Sequence, residues 1–247
     1  MMLVLVKRKK DMLEEMQHLT SVYRKISADR TESDRPPKLP PELRGKDSEN
    51  LAQRLTLAYR VVVEQRGMEY VDLPEAHISE TIADIVKWLL GPIYRTTLFL
   101  QGTVGNGKTS ILTAISLVYT EAHKSYTICT TEDIYEHYRL YRIGENNRYD
   151  YYKQRDTLLI DDLGVEPDTF QSFGVEFTPI QSLLGYRYKH QLTTIMTTNL
   201  SDRLILERYG DRVDDRFWEM CSVLHFRGPS FRKLLANEIH EKEEETP

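Results

Sequence analysis

The octet Gly102-Thr103-Val104-Gly105-Asn106-Gly107-Lys108-Thr109 limits what this chain can fold into more than any other stretch. It fits G-x-x-x-x-G-K-[ST] without mismatch, and its flanks are of the kind that pattern needs. Thr97-Leu98-Phe99-Leu100 before it reads as a short apolar strand. Ile111, Ile115, Val118 and Tyr119 after it recur at helical spacing. Strand, glycine loop and helix together describe a cradle for phosphate. The glycines let the backbone aim N–H groups at an anion, and the helix adds its positive N-terminal end. Lys108 is placed to reach the β- and γ-phosphates, the Thr109 hydroxyl to hold Mg²⁺, and Ser110 continues the binding turn. The competing reading is a Gly-rich turn with no ligand, and the strand–loop–helix context argues against it.

A second stretch completes that reading. Thr157-Leu158-Leu159-Ile160 is a continuous apolar run, as in a strand buried on both faces, and it ends in Asp161-Asp162-Leu163-Gly164. A carboxylate at the tip of such a strand, beside a phosphate loop, is where Mg²⁺ is held, so Asp161 is the expected metal residue. Asp162 is expected to orient or deprotonate the attacking water. Alone, the run would read as a strand and a turn; 53 residues after Lys108 it reads as the other half of a site. Leu192 to Thr198 forms a further strand ending in Thr197-Thr198-Asn199, whose polar tip belongs beside the γ-phosphate.

The other elements follow from capping and periodicity. Ser79 caps a helix with its stripe at Ile82, Ile85, Val86, Leu89 and Leu90. Tyr126 to Thr130 alternates as a strand, and Thr131-Glu132-Asp133 opens the next helix. Thr178-Pro179 begins another, and Ser201 to Gly210 bounds a short one. On the helix after Asp211, Arg212 and Arg216 share one face four residues apart. Ser222 to Phe226 supplies a fifth strand.

Outside residues 75–235 the chain changes character. Over 1–60 there are 13 Lys and Arg against nine acids, while the remainder carries 20 against 29. Residues 1–70 hold two helical stripes, Met12, Met16, Leu19, Tyr23, Ile26 and then Leu51, Leu55, Ala58, Val62. Between them a Pro-rich linker spans about 29–48. These helices either pack on each other or on the main domain, or dock a partner protein in a groove. Residues 236–247 form an acidic tail. The net charge of −5 and 40% hydrophobic content describe a soluble, mildly acidic chain with a real core. They do not advertise nucleic-acid binding, although a local patch would suffice. Cys129 and Cys221 are expected as buried thiols, with no metal-ligand spacing. With neither a signal peptide nor a stretch long enough to span a membrane, the expected location is cytoplasmic.

Gly102–Thr109, Leu158–Gly164 and Thr197-Thr198-Asn199-Leu200-Ser201 resemble the AAA+ ATPases of the DnaC/IstB type. Tyr209-Gly210-Asp211-Arg212-Val213-Asp214-Asp215-Arg216 looks like that family's arginine motif, and Gly228-Pro229-Ser230-Phe231-Arg232 like its closing G-x-S-[YF]-R signature. The resemblance covers about 75–235. It implies a three-layer αβα P-loop fold of ASCE type, with a parallel five-stranded sheet in the order 5-1-4-3-2. It also implies ATP and Mg²⁺, Asn199 as the γ-phosphate sensor, and Arg216 (or Arg212) as a finger acting in trans within a homo-oligomer. The activity implied is slow ATP hydrolysis in DNA replication, loading a replicative helicase on single-stranded DNA. A transposition ATPase that delivers target DNA to a transposase is the alternative, and a nucleotide-gated binding module with little turnover is the third. The partner is expected on residues 1–70. Too few residues follow the fifth strand for the family's helical lid domain; Arg232 is the candidate replacement for its arginine. Asp162 stands where many AAA+ proteins carry Glu, and Glu166 lies close enough to contribute. Six tyrosines with four arginines and Lys153 over 135–155 form either a candidate single-strand surface or, on the other reading, a mixture of core tyrosines and loop.

Overall fold

The computed structural model describes residues 14–22, 48–68, 70, 74–90, 96–122, 126–145, 148–167, 170–172, 175–210, 219, 221–228 and 230–231. Residues 29–47 of the linker, the tail, Arg212, Arg216, Arg232 and the question of a lid lie outside these residues, and Ser48 is the first residue of a helix.

Alternation along the strands builds the layers. In β1 (Thr97–Gly102) Leu98 and Leu100 face one core and Phe99 the other; in β3 (Thr157–Leu163) Leu159 opposes Leu158 and Ile160 in the same way. A strand apolar on both faces has to be covered on both, which is the condition for an interior parallel strand. With β2 (Thr127–Thr130), β6 (Thr193–Thr198) and β7 (Cys221–Phe226), these strands form a five-stranded sheet in the order β2-β3-β6-β1-β7. Every pairing in it is parallel. This is the expected order, with β6 and β7 as the fourth and fifth strands. The pattern did not show β4 (Phe170–Ser172) and β5 (Val175–Phe177), a small antiparallel pair outside the main sheet.

On one face lie α2 (Ser48–Gln65), α3 (Ile78–Leu90) and α4 (Lys108–Glu121), which share a core with Leu98, Leu100, Leu159, Ile195 and Phe226. Leu55, Ala58 and Val62 of the second N-terminal stripe are fully buried there, and Leu19 of a preceding helix, α1 over 14–22, joins them. Helix α3 begins at Ile78, so Ser79 lies inside its first turn instead of capping it.

The other face carries α5 (Thr131–Arg142), α6 (Arg148–Gln154), α7 (Pro179–Lys189) and α8 (Asp202–Tyr209). Thr130 caps α5 through a capping box with Asp133, one residue before the expected start, and Ser201 caps α8. Arg187 of α7 is fully buried and donates to the carbonyls of Tyr152, Lys153, Arg155 and Thr193 and to Thr194 Oγ1. It ties the end of α6 to the start of β6. Cys129 and Cys221 are buried and neither forms a disulfide, and burial pushes the Cys129 thiol well up from its ordinary value.

Candidate phosphate site

Gly102 closes β1 and Lys108 begins α4, so the octet is the turn from the central strand into the first helix. Two of its glycines sit where L side chains rarely go, Gly105 at φ 86° and Gly107 at φ 94°. A Cβ on Gly107 would stand 2.5 Å from the Tyr59 hydroxyl, and one on Gly105 would stand 2.2 Å from Ser230 Oγ. The loop is thus walled by α2 on one side and by the closing signature on the other, where Phe231 N–H donates to Gly105 O at 3.0 Å.

Lys108 is 5% exposed, and its ammonium donates to Gly102 O (2.8 Å), Thr103 O (2.7 Å) and Asn106 Oδ1 (3.0 Å). Those acceptors are neutral; phosphate oxygens at the same place would put charge on both partners and bind more strongly. Asn106 is buried and its Nδ2 donates to Phe226 O at 3.2 Å, which ties the loop to β7. Thr103 and Val104 form the exposed crest of the loop. Ser110 is buried and accepts from Arg66 Nη1 at 3.0 Å.

The two halves predicted from sequence meet. Thr109 Oγ1 donates to Asp161 Oδ1 at 3.2 Å across 52 residues of chain. A hydroxyl and a carboxylate are hard oxygen donors of the kind Mg²⁺ takes. Such an ion, completed by phosphate and water, needs no all-protein cage. The described residues accordingly hold no cluster of three or more His, Cys, Asp or Glu suited to a metal. Asp162 follows at a break in the β3–β6 register, with φ 56°. Asn199 stands one residue past β6 with an exposed side chain.

Glu166 does not stand free beside these aspartates. It is buried; Gly164 N–H donates to its Oε2 at 2.9 Å, the Tyr209 hydroxyl to its Oε1, and Arg208 to its backbone oxygen. Its work is to hold the loop after β3 against α8. The aromatic stretch at 135–155 is in part core, as the second of its two readings has it: Tyr138, Tyr149 and Tyr152 are buried, and the Tyr149 hydroxyl donates to Pro179 O at 2.7 Å. Lys153 lies 5.0 Å from the Tyr186 ring centroid, and Arg155 covers Tyr151 at 3.8 Å. Half of these tyrosines are core. Helical periodicity at Ile134 and Tyr138 was the signal for this; Arg66 and Tyr59 as neighbours of the phosphate loop gave no signal in the sequence.

A parallel sheet with β6 inserted between β1 and β3, and a glycine loop facing an aspartate-tipped strand, define a P-loop NTPase fold of the additional-strand type. No family model and no curated protein matches the sequence. Among solved structures, a DnaC helicase loader is similar with a TM-score of 0.51 and 22% identity, over 64% of this chain and 94% of that one. A putative primosome component from Streptococcus pyogenes serotype M3 is similar with a TM-score of 0.50 and 22% identity, over 65% of this chain and 85% of that one. AMPPCP-bound DnaA from Aquifex aeolicus gives 0.49 and 19%, and the match spans about half of it, 53%. At these identities the likeness is one of fold alone: a three-layer αβα P-loop fold like that of the DnaC helicase loader. Among the described residues no helix is long and apolar enough to cross a membrane.

Proposed function

We propose that this protein binds and hydrolyses ATP and uses it in DNA replication to load a helicase on single-stranded DNA. The observation that carries the nucleotide part is the Thr109–Asp161 hydrogen bond at 3.2 Å, which brings the phosphate loop and the acidic strand tip into one site. ATP with Mg²⁺ supplies the transferable phosphoryl group and part of the charge neutralisation. The chain's own groups do the rest. Loop N–H groups and Lys108 bind phosphate, and Thr109 and Asp161 orient the metal. Asp162 directs the water and accepts its proton, and Asn199 hydrogen-bonds the γ-phosphate side. Arg216, with Arg212 as the alternative, neutralises transition-state charge on a neighbouring subunit's ATP, which requires a homo-oligomer. The likeness in fold to a helicase loader and a primosome component supports replication over transposition as the setting. Residues 1–70 are the proposed helicase contact, and the exposed part of 135–155 the proposed strand contact.

The test is co-purification of the full chain with a hexameric helicase and stimulation of its ATP hydrolysis by single-stranded DNA, both lost in Lys108→Ala. Filaments on DNA that recruit a transposase would instead assign it to target-DNA delivery. Function that survives Asp162→Asn but not Lys108→Ala would make it a nucleotide-gated binding module.

A further inference from the structure

Thr197 is wholly buried one residue from the end of β6, and its hydroxyl serves both aspartates. It donates to Asp161 Oδ1 at 2.5 Å and accepts the Asp162 N–H at 2.9 Å. At this place β3 leaves its register with β6, between Ile160 and Leu163, and Asp162 adopts φ 56°. A bulge re-aims the side chains it carries, and a non-glycine residue keeps a left-handed conformation only when its surroundings hold it there. Two further hydroxyls help: Thr131 Oγ1 donates to Asp162 O at 2.9 Å and Thr198 Oγ1 to Leu163 O at 2.6 Å. Those two bind only backbone. Thr197 instead joins the bulged backbone to the Asp161 carboxylate, and its single proton is committed to that carboxylate because its acceptor side faces the Asp162 amide.

We infer that Thr197 is the positioning residue of the aspartate pair: through one hydroxyl it fixes how Asp161 meets Mg²⁺ and where Asp162 points. The inference rests on the proposed ATP site and adds to it the group that sets its coupling to the metal. The experiment compares full-length wild type, Thr197→Val and Thr197→Ser. It measures melting temperature and the affinity for a fluorescent ATP analogue, with Mg²⁺ and with EDTA. Loop 102–109 makes the metal-free contacts, so affinity in EDTA should stay at the wild-type level in both variants. The gain on adding Mg²⁺ should fall about tenfold in Thr197→Val, the size expected for one hydrogen bond to a charged group, and return in Thr197→Ser. Thr197→Cys, a weak donor of similar size, makes the same comparison in a second variant. A Mg²⁺ gain that Thr197→Val keeps overturns the inference alone. So does a parallel loss of EDTA affinity and melting temperature, which would mark a merely structural threonine. A wild type with no Mg²⁺ gain overturns the ATP reading and this inference with it.

Discussion

Arg66, one residue past the end of α2, donates from Nη1 to Ser110 Oγ at 3.0 Å and so joins the N-terminal helix to the first turn of α4. The same helix buries Leu55, Ala58, Tyr59, Val61 and Val62 in the core beneath that turn, and Arg54 pairs with Glu121 at its far end at 2.9 Å. Whatever else residues 1–70 contact, α2 is part of the wall behind the phosphate site.

Leu55→Ala is therefore expected to cost about 2–5 kcal/mol of stability, as for other large-to-small changes in a core. Denaturant unfolding measures it. A chain starting at residue 72 loses Leu55, Val61 and Val62 at roughly 1.5–3 kcal/mol each, with Ala58 and Tyr59 besides, which is comparable with the ~5–15 kcal/mol of a typical domain. Cooperative melting of that fragment at the full-length temperature would refute this account.

Gly107→Ala tests the loop's conformation. Its φ of 94° and the Tyr59 hydroxyl 2.5 Å from the new Cβ make strain and collision coincide. Nucleotide affinity should be lost, with a clear drop in melting temperature. Gly144 has φ 76° but nothing within 4 Å of a Cβ, so Gly144→Ala should cost only the backbone strain, ~1–2 kcal/mol, and leave binding intact.

Arg187 gives the most severe expected substitution outside the site. Its guanidinium satisfies four carbonyls and the Thr194 hydroxyl in a fully buried position. Arg187→Met removes all of those donors at once, at about 1–3 kcal/mol for each group left unsatisfied, and should place the variant in the exceptional range above ~4 kcal/mol. Arg187→Lys keeps the charge but not the planar fork, and should fall between Met and wild type by calorimetry.

Asp162→Asn and Glu166→Gln should separate chemistry from scaffolding. The first is expected to lower hydrolysis on the order of 10²–10⁴-fold while binding ATP normally. The second weakens the contacts with Gly164 and Tyr209, and should show its effect as a lower melting temperature. Equal losses of turnover in both, at unchanged stability, would return Glu166 to the chemistry.

What could be read from sequence is what local pattern encodes. The octet, the apolar run into Asp161-Asp162 and the helical stripes placed β1, α4 and β3, and the family resemblance gave the sheet order. Contacts between distant segments left no periodicity to read. Nothing marks Arg66 as the neighbour of Ser110, Arg187 as a buried staple among mostly neutral backbone, or Glu166 as the partner of Tyr209. The tyrosines of 135–155 left two readings open, because interleaved cations suit a surface and helical spacing suits a core; Tyr138, Tyr149 and Tyr152 are buried where α7 packs on α5 and α6.

The hydrogen bond from Phe231 to Gly105 has a consequence for synthesis. The octet leaves the ribosome more than a hundred residues before the segment that walls it, and β7, which anchors Asn106, comes only shortly before that segment. A nascent or truncated chain that stops short of β7 carries the complete motif without the assembled cradle. Such a chain would have the loop without its two tethers, Asn106 to Phe226 O and Phe231 N–H to Gly105 O.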